Sequence, residues 1–173
     1  MTEAIATSAP GIGMSSAGLA RLLALIVPAA LLAGAFGSEY MGHLTPCEMC
    51  WWQRYAHFAA LVPALLAFTA PATSGRSRTL VVLAAAAIAV SGAIGAYQAG
   101  VELHVFEGFT TCTSTARGTS NADLLKQIMA APLVRCDEIQ WSWLGISMAG
   151  WNAIVSIGTA LAIVALTIRG RRA

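Results

Sequence analysis

The chain of 173 residues is too apolar and carries too little charge for an ordinary soluble domain. Apolar residues make up 57% of it and charged residues 10%, against roughly 45–50% and about 25% in average soluble chains. The net charge of +2 is small, and the basic residues form no patch interleaved with aromatic residues. Composition therefore argues against a soluble protein and against a nucleic-acid-binding protein.

Four apolar segments are long enough to cross a bilayer core of about 30 Å, which needs roughly 20 residues of helix. We predict helices over residues 19–40, 51–70, 80–99 and 145–168. A polar leader, residues 1–18, precedes the first helix, and no A-x-A cleavage site precedes a soluble domain, so we expect this helix to be retained. Small residues such as Gly92 and Gly95 allow close helix contacts along helix three. The predicted fold is all-α, an integral membrane four-helix bundle.

The basic residues indicate how the bundle is oriented. Six of the ten lie on one side, in or beside the leader, the loop between helices two and three, and the tail at 169–173: Arg21, Arg76, Arg78, Arg169, Arg171 and Arg172. The positive-inside rule makes this side cytoplasmic, so we expect both termini in the cytoplasm. The periplasmic side then receives a short loop over 43–50 and a long loop over 100–147, which contain all four cysteines. The periplasm is a compartment in which disulfides form and persist.

The long loop contains a second helical pattern. From Asn121, a plausible N-cap, the apolar residues Leu124, Leu125, Ile128 and Met129 share one face. This pattern favours a short helix lying in the membrane interface or, equally, one packed on its own loop. After it, Trp141, Trp143 and Trp151 are predicted to be interfacial anchors.

The strongest chemical signal is the sequence PCEMCWWQR at the start of helix two. Cys50 lies at the helix N-terminus, where free N–H groups and the helix dipole favour a thiolate. Arg54 follows one turn later on the same face, so we expect its charge near Cys50; the alternative is that it extends to the lipid headgroups. His57 continues this face into the membrane, where a polar residue is a functional candidate, although a histidine hydrogen-bonded between helices is the commoner outcome.

Four cysteines allow three disulfide pairings. Proximity favours Cys47 with Cys50, which leaves Cys112 with Cys136 across 23 intervening residues. One alternative is a zinc site, but its usual spacing needs two tight pairs and only one is present, so we expect no metal. The other is a non-catalytic bundle whose disulfides only staple the external loop.

These features together resemble the DsbB family of disulfide-bond formation proteins. The resemblance is carried by PCEMCWWQR, by EGFTTC around Cys112, and by RCDEIQWSWLGISMAGWN leading into helix four. It covers essentially the whole chain beyond the leader, and helix number, topology and cysteine order agree. The vitamin K epoxide reductase fold also combines a helical bundle with two cysteine pairs. There the loop pair precedes the CxxC pair, and here it follows.

The resemblance implies a quinone-linked thiol oxidoreductase of the bacterial inner membrane that re-oxidises a periplasmic DsbA-type protein. It implies that Cys47 and Cys50 form the inner pair, re-oxidised by ubiquinone or menaquinone, with Cys50 nearest the quinone ring. It also implies that Cys112 forms the mixed disulfide with the partner and that Cys136 resolves it.

The resemblance also implies quinone contacts. Arg54 matches the family's quinone-contacting arginine, and His57 is a further candidate. Some relatives carry a histidine near the outer end of helix three, where this chain reads Tyr97-Gln98-Ala99. That role would therefore fall to Arg54, His57 or Gln98.

Overall fold

The computed structural model describes residues 15–108, 120–122, 125 and 135–172, with the side chains of the last two residues excepted. This part of the chain folds into four long helices, and the predicted all-α four-helix fold is confirmed. The helices are α1 (Ser16–Tyr40), α2 (Glu48–Leu66), α3 (Gly75–Glu102) and α4 (Met148–Arg172). A 3-10 turn, Ala67–Thr69, extends α2, and two short antiparallel strands, β1 (Ser142–Trp143) and β2 (Ile146–Ser147), precede α4.

The helices begin at polar caps rather than at the edges of the apolar segments. Ser15 caps α1 through a 3.2 Å bond from Gly18 N, and Ser74 caps α3 through a 3.2 Å bond from Ser77 N. A side-chain oxygen that accepts from an orphan N–H stabilises the first turn. For this reason α1 and α3 begin several residues before the predicted apolar segments. Helix α4 begins three residues later than predicted, because the β1–β2 turn occupies the residues before Met148.

Three of the helices in the described ranges are long and apolar enough to cross a membrane by length and composition: α1, α3 and Met148–Gly170 of α4. Helix α2 is shorter, with 19 residues, and its polar residues lower its mean hydropathy. These polar residues, Gln53, Arg54 and His57, are all buried. Helix α2 therefore turns its polar side toward the bundle interior, as expected for polar groups within a membrane protein.

The core at the end of the bundle distant from the cysteines is built mainly from alanine. Ala24, Ala60, Ala64 and Ala84 are fully buried there, and small residues let helices approach closely. Closer to the cysteines, a Cβ atom on Gly95 would lie 2.9 Å from the Ala149 carbonyl oxygen. The small residues of α3 thus hold α4 close enough for polar side chains of both helices to meet.

The tryptophans predicted to be anchors surround the β1–β2 turn. The rings of Trp143 and Trp151 lie 5.3 Å apart, and Trp151 Nε1 donates to the Trp143 carbonyl at 3.1 Å. Trp141 and Trp143 are exposed. Their interfacial role stays a prediction, as does the amphipathic helix from Asn121, most of which lies outside the described residues.

Candidate functional site

The CxxC sequence forms the N-terminal end of α2. Cys47 is the N-cap residue in extended conformation, and its Sγ accepts from Cys50 N at 3.3 Å. Cys50 therefore lies in the first helical turn, whose backbone N–H groups have no partner within the helix. This position favours negative charge on Cys50.

Three cysteine side chains meet at this end of the bundle. Cys47 Sγ lies 2.8 Å from Cys50 Sγ, which is hydrogen-bonding contact between thiols. Cys136 packs against Cys47 in a buried cluster with Met49 and Val101, and Cys47 and Cys136 are only 4% and 1% exposed. The pKa of Cys47 is raised because its thiol bonds to Cys136 and to Cys50 and is buried. Cys47 is thus in contact with a cysteine from each predicted pair.

Cys112 lies outside the described residues, so its proposed pairing with Cys136 stays a prediction. Within the described residues, no group of three or more His, Cys, Asp and Glu side chains is arranged to hold a metal ion.

Gln98 of α3 lies against both sulfur atoms. Its Nε2 is 3.5 Å from Cys47 Sγ and 3.6 Å from Cys50 Sγ. Its Oε1 accepts from Gln53 Nε2 at 2.6 Å. Of the three side chains considered for the position of the family histidine, Gln98 is the one that touches the thiols. Its amide N–H groups can stabilise charge on either sulfur.

A chain of hydrogen bonds continues from Gln53 into the bundle. Asn152 Nδ2 of α4 donates to Gln53 Oε1 at 2.7 Å, and Asn152 Oδ1 lies 2.9 Å from His57 Nε2. Ser91 Oγ of α3 also lies 2.9 Å from His57 Nε2. These bonds connect the thiols to His57 across three helices.

Sequence reasoning missed Gln53 and Asn152 in this network. Asn152 carried a usable signal, because it is an amide within a helix that is otherwise apolar at that depth. Gln53 lies inside the recognised sequence PCEMCWWQR but carried no signal of its own.

Arg54 is held by α1 rather than by Cys50. One of its terminal nitrogens pairs with the Glu39 carboxylate, and Nη2 donates to the Ala35 carbonyl at 3.0 Å. Its guanidinium carbon lies 4.7 Å from the ring centre of Phe36 and 4.9 Å from that of Trp51. At 5% exposure, Arg54 is enclosed between α1 and α2, which disfavours extension to lipid headgroups.

Arg54 and His57 nevertheless border the same space as the cysteines. A cavity of about 590 Å³ is lined on one side by Cys47, Cys50, Arg54 and His57. Its other side is formed largely by apolar or small residues of α1, among them Ala30, Leu31, Gly34 and Ala35. A cavity with one apolar wall and a few convergent polar groups is typical of a small-molecule site.

The fold and the site together define a helical membrane protein whose thiols converge beside a buried polar cavity. Residues 17–166 match the family model described as Disulfide bond formation protein DsbB, so the chain belongs to the DsbB family. The resemblance stated from the sequence is confirmed. Membership makes the chain a disulfide-bond-forming membrane protein of the thiol oxidoreductase class.

Individual relatives give the same result. The chain is 32% identical over 160 residues to a protein named Disulfide bond formation protein B from an Acidovorax species, covering 88% of this chain and 89% of the relative. It is 30% identical over 156 residues to the protein of that name from Xanthomonas oryzae pv. oryzae, with coverages of 87% and 90%. For the one from Marinobacter nauticus the identity is 30% over 149 residues, with coverages of 76% and 80%. No solved structure matches the chain.

Proposed function

We propose that this protein is a protein-dithiol:quinone oxidoreductase of the bacterial inner membrane. It re-oxidises a periplasmic DsbA-type dithiol protein and passes the electrons through two cysteine pairs to ubiquinone or menaquinone. The observation that carries this proposal is the contact of Cys47 with both Cys50 and Cys136, beside a cavity that also contains Arg54 and His57.

The cavity residues fit a quinone. The volume of about 590 Å³ lies within the range of about 300–1,000 Å³ usual for small-molecule sites. The α1 wall suits an isoprenoid tail, and the guanidinium of Arg54 suits a carbonyl oxygen. His57 also lines the cavity, and its Nδ1 is buried without a hydrogen-bond partner among the described residues. When bound, the quinone supplies a two-electron acceptor.

The proposed thiol chemistry is a series of exchanges in which one S–S bond breaks as another forms. The first thiolate of the partner attacks Cys112 and releases Cys136 as a thiolate. The second thiol of the partner then displaces Cys112, so the partner leaves oxidised and both loop cysteines are reduced. The Cys136 thiolate attacks Cys47 and releases Cys50 as a thiolate at the helix N-terminus. Cys112 then attacks Cys136, which re-forms the Cys112–Cys136 bond and releases Cys47. Contact between Cys136 and Cys47 in the buried cluster supports this order. Two electrons and two protons leave the partner and reach the acceptor.

The direction of electron flow requires a strong terminal acceptor. A DsbA-type partner has a potential of about −120 mV, and each 30 mV of shortfall costs about 1.4 kcal/mol for a two-electron couple. Ordinary protein disulfides lie below this potential. A quinone arriving through the bilayer beside Cys50 would make the overall reaction favourable.

The direct test is a quinone-reduction assay with purified protein and a reduced DsbA-type partner, run with ubiquinone and menaquinone in parallel. We expect stoichiometric oxidation of the partner and reduction of at least one quinone. A bundle with purely structural disulfides would reduce neither. An enzyme of the vitamin-K-reductase type would instead reduce an epoxide substrate and would not oxidise this partner stoichiometrically.

The first prediction concerns the resting disulfides. We expect non-reducing peptide mapping of the oxidised protein to recover Cys47 linked to Cys50 and Cys112 linked to Cys136, with a minor Cys47–Cys136 species from the exchange intermediate. Recovery of Cys47 or Cys50 linked mainly to a cysteine of the long loop would contradict the proposed pairing.

The second prediction concerns orientation. Reporter fusions after Thr73, before α3, and at Ala173 should both report the cytoplasm, because the basic residues flank these positions. A fusion after His43, in the short loop, is the matched control and should report the periplasm. A periplasmic signal from either of the first two fusions would require a different number of crossings.

A further inference from the structure

Glu102, the last residue of α3, is a buried acid beside the thiols. It is the only acidic side chain among the buried residues of the described part, at 8% exposure. Its Oε1 accepts from Gln98 Nε2 at 3.1 Å, and the Ser147 side chain also lies beside the carboxyl. Its Oε2 is buried and has no hydrogen bond of ordinary geometry to the described residues. The ion pairs found in this part of the protein join other groups: Arg54 with Glu39, and Arg135 with Asp137 and Glu138.

The same amide connects Glu102 to the cysteines. Gln98 Nε2, which donates to Glu102, also lies 3.5 Å from Cys47 Sγ. Glu102 lines the cavity with Cys47 and Cys50. Its neighbour in α3, Val101, packs with Cys47 and Cys136 in the buried cluster. A buried carboxyl without a cation is costly. Its position next to thiols that must exchange protons indicates a chemical use.

Cys136 is a buried thiol that needs a proton acceptor before it can react. A thiol attacks a disulfide only after it has lost its proton, and Cys136 is 1% exposed. Bulk water therefore has little access to the proton that Cys136 must release. An internal acceptor within reach, directly or through one water, is the usual solution in an enclosed site.

We propose that Glu102 is the proton acceptor for Cys136 in the exchange between the two cysteine pairs. This inference rests on the proposed function. The Glu102 carboxylate takes the Cys136 proton, and the Cys136 thiolate then forms a bond to Cys47 Sγ. The Cys47–Cys50 bond breaks, and Cys50 leaves with the electron pair as a thiolate at the helix N-terminus. The step has no net redox change and leaves one proton on Glu102.

Other ionisable groups border the same space and shape the pH response. The α2 groups that line the cavity with Glu102 are Cys47, Cys50, Arg54 and His57, and the loop groups are Arg135 and Glu138. Arg54 and Arg135 are each paired with an acid of their own. Glu102 therefore remains the cavity carboxyl that is both buried and without a cation in the described structure.

The test isolates the exchange from both quinone and partner. In a Cys112→Ala background, oxidised protein contains one disulfide among Cys47, Cys50 and Cys136, and exchange alternately frees Cys136 or Cys50. Quinone-free protein is treated with N-ethylmaleimide at concentrations high enough that the rate of labelling no longer depends on the concentration of the reagent. Peptide mapping then follows the labelling of Cys50 over time. The slow phase of this labelling gives the exchange rate, which is measured from pH 6 to pH 9.

We expect Glu102→Gln to slow this phase by about a hundredfold at pH 6.5, the lower end of the usual general-base effect. The deficit should shrink toward pH 9, because the rising hydroxide concentration supplies a second acceptor for the Cys136 proton. Glu102→Asp, which keeps a carboxyl, should recover part of the rate. Glu107→Gln, which changes an exposed acid in the segment that follows α3, is the matched control and should behave as the parent.

The possible results distinguish a failure of the proposed Glu102 role from a failure of the proposed function. A deficit of equal size at every pH, or equal loss in Glu102→Gln and Glu102→Asp, would show a packing role and overturn the inference. An unchanged rate in Glu102→Gln would overturn it as well. If the Cys112→Ala parent itself shows no exchange at any pH, the relay of the proposed function is wrong, whatever Glu102 does.

Discussion

Cys112→Ala is expected to abolish oxidation of the dithiol partner while leaving the inner cysteine pair able to react with quinone. Of the described cysteines, Cys47 and Cys136 are 4% and 1% exposed, and Cys50 is half-buried at the cavity. A visiting protein therefore has little access to these three sulfur atoms. Cys112 lies instead in a Ser- and Thr-rich segment of the long loop. Because the first exchange needs an accessible sulfur, removing Cys112 should reduce partner turnover to background.

Two measurements check this expectation. Thiol titration follows oxidation of the reduced partner, and quinone absorbance follows turnover with a small dithiol such as dithiothreitol, which can enter the cavity. Ser114→Ala alters the same segment without removing a thiol and should retain full partner turnover. Oxidation of the partner by Cys112→Ala at the normal rate would show that the relay begins at another cysteine.

The helical framework could be predicted because it follows from local properties of the chain. Bilayer-crossing segments are long and apolar, and the α1, α3 and α4 segments stand out in the sequence for this reason. The position of Cys50 at the N-terminal end of the second helix was also predicted from the sequence. However, α2 begins at Glu48 rather than at residue 51, because Cys47 is its N-cap residue.

The neighbours of the cysteines could not be predicted in the same way. Helices α3 and α4 are apolar around most of their circumference, so hydropathy does not specify which side faces the bundle interior. The contacts of Gln98 with Cys47 and of Asn152 with His57 depend on that rotation. They are set by the close packing of α3 on α4 at Gly95, which is a tertiary property.

The partners of Arg54 also could not be predicted from the local sequence pattern. Its spacing from Cys50 correctly places it one turn along α2, but its side chain is directed to Glu39 and Ala35 of α1. Glu39 lies at the end of a different helix, and only the packing of α1 against α2 brings the two charges together. Because the pair is neutral overall, Glu39 offsets part of the positive charge that Arg54 presents to the cavity.

Arg54→Met is expected to slow quinone reduction or raise the quinone KM by about ten- to hundredfold. A hydrogen bond to a charged group contributes about 1.5–3 kcal/mol, and each 1.36 kcal/mol corresponds to roughly a factor of ten in rate. The Arg54 guanidinium lines the cavity and is held in place by Glu39, Phe36 and Trp51. It is therefore positioned to stabilise negative charge on a reduced ligand. Exchange with the partner should change little, because it is proposed to take place at Cys112, in the long loop that is predicted to be external.

Because Arg54 forms an ion pair with Glu39, the Arg54→Met experiment needs control variants that account for this pair. Removing Arg54 alone leaves a partly buried carboxylate uncompensated, and breaking a buried pair in this way destabilises a protein by about 3–5 kcal/mol. Glu39→Gln/Arg54→Met removes both charges and separates this loss of stability from the loss of ligand contact. Arg54→Lys should recover only part of the activity, because an ammonium lacks the planar fork of donors that reaches Glu39 and Ala35 together. If the double variant inserts normally and reduces quinone with unchanged kcat and KM, then Arg54 has no part in the quinone site.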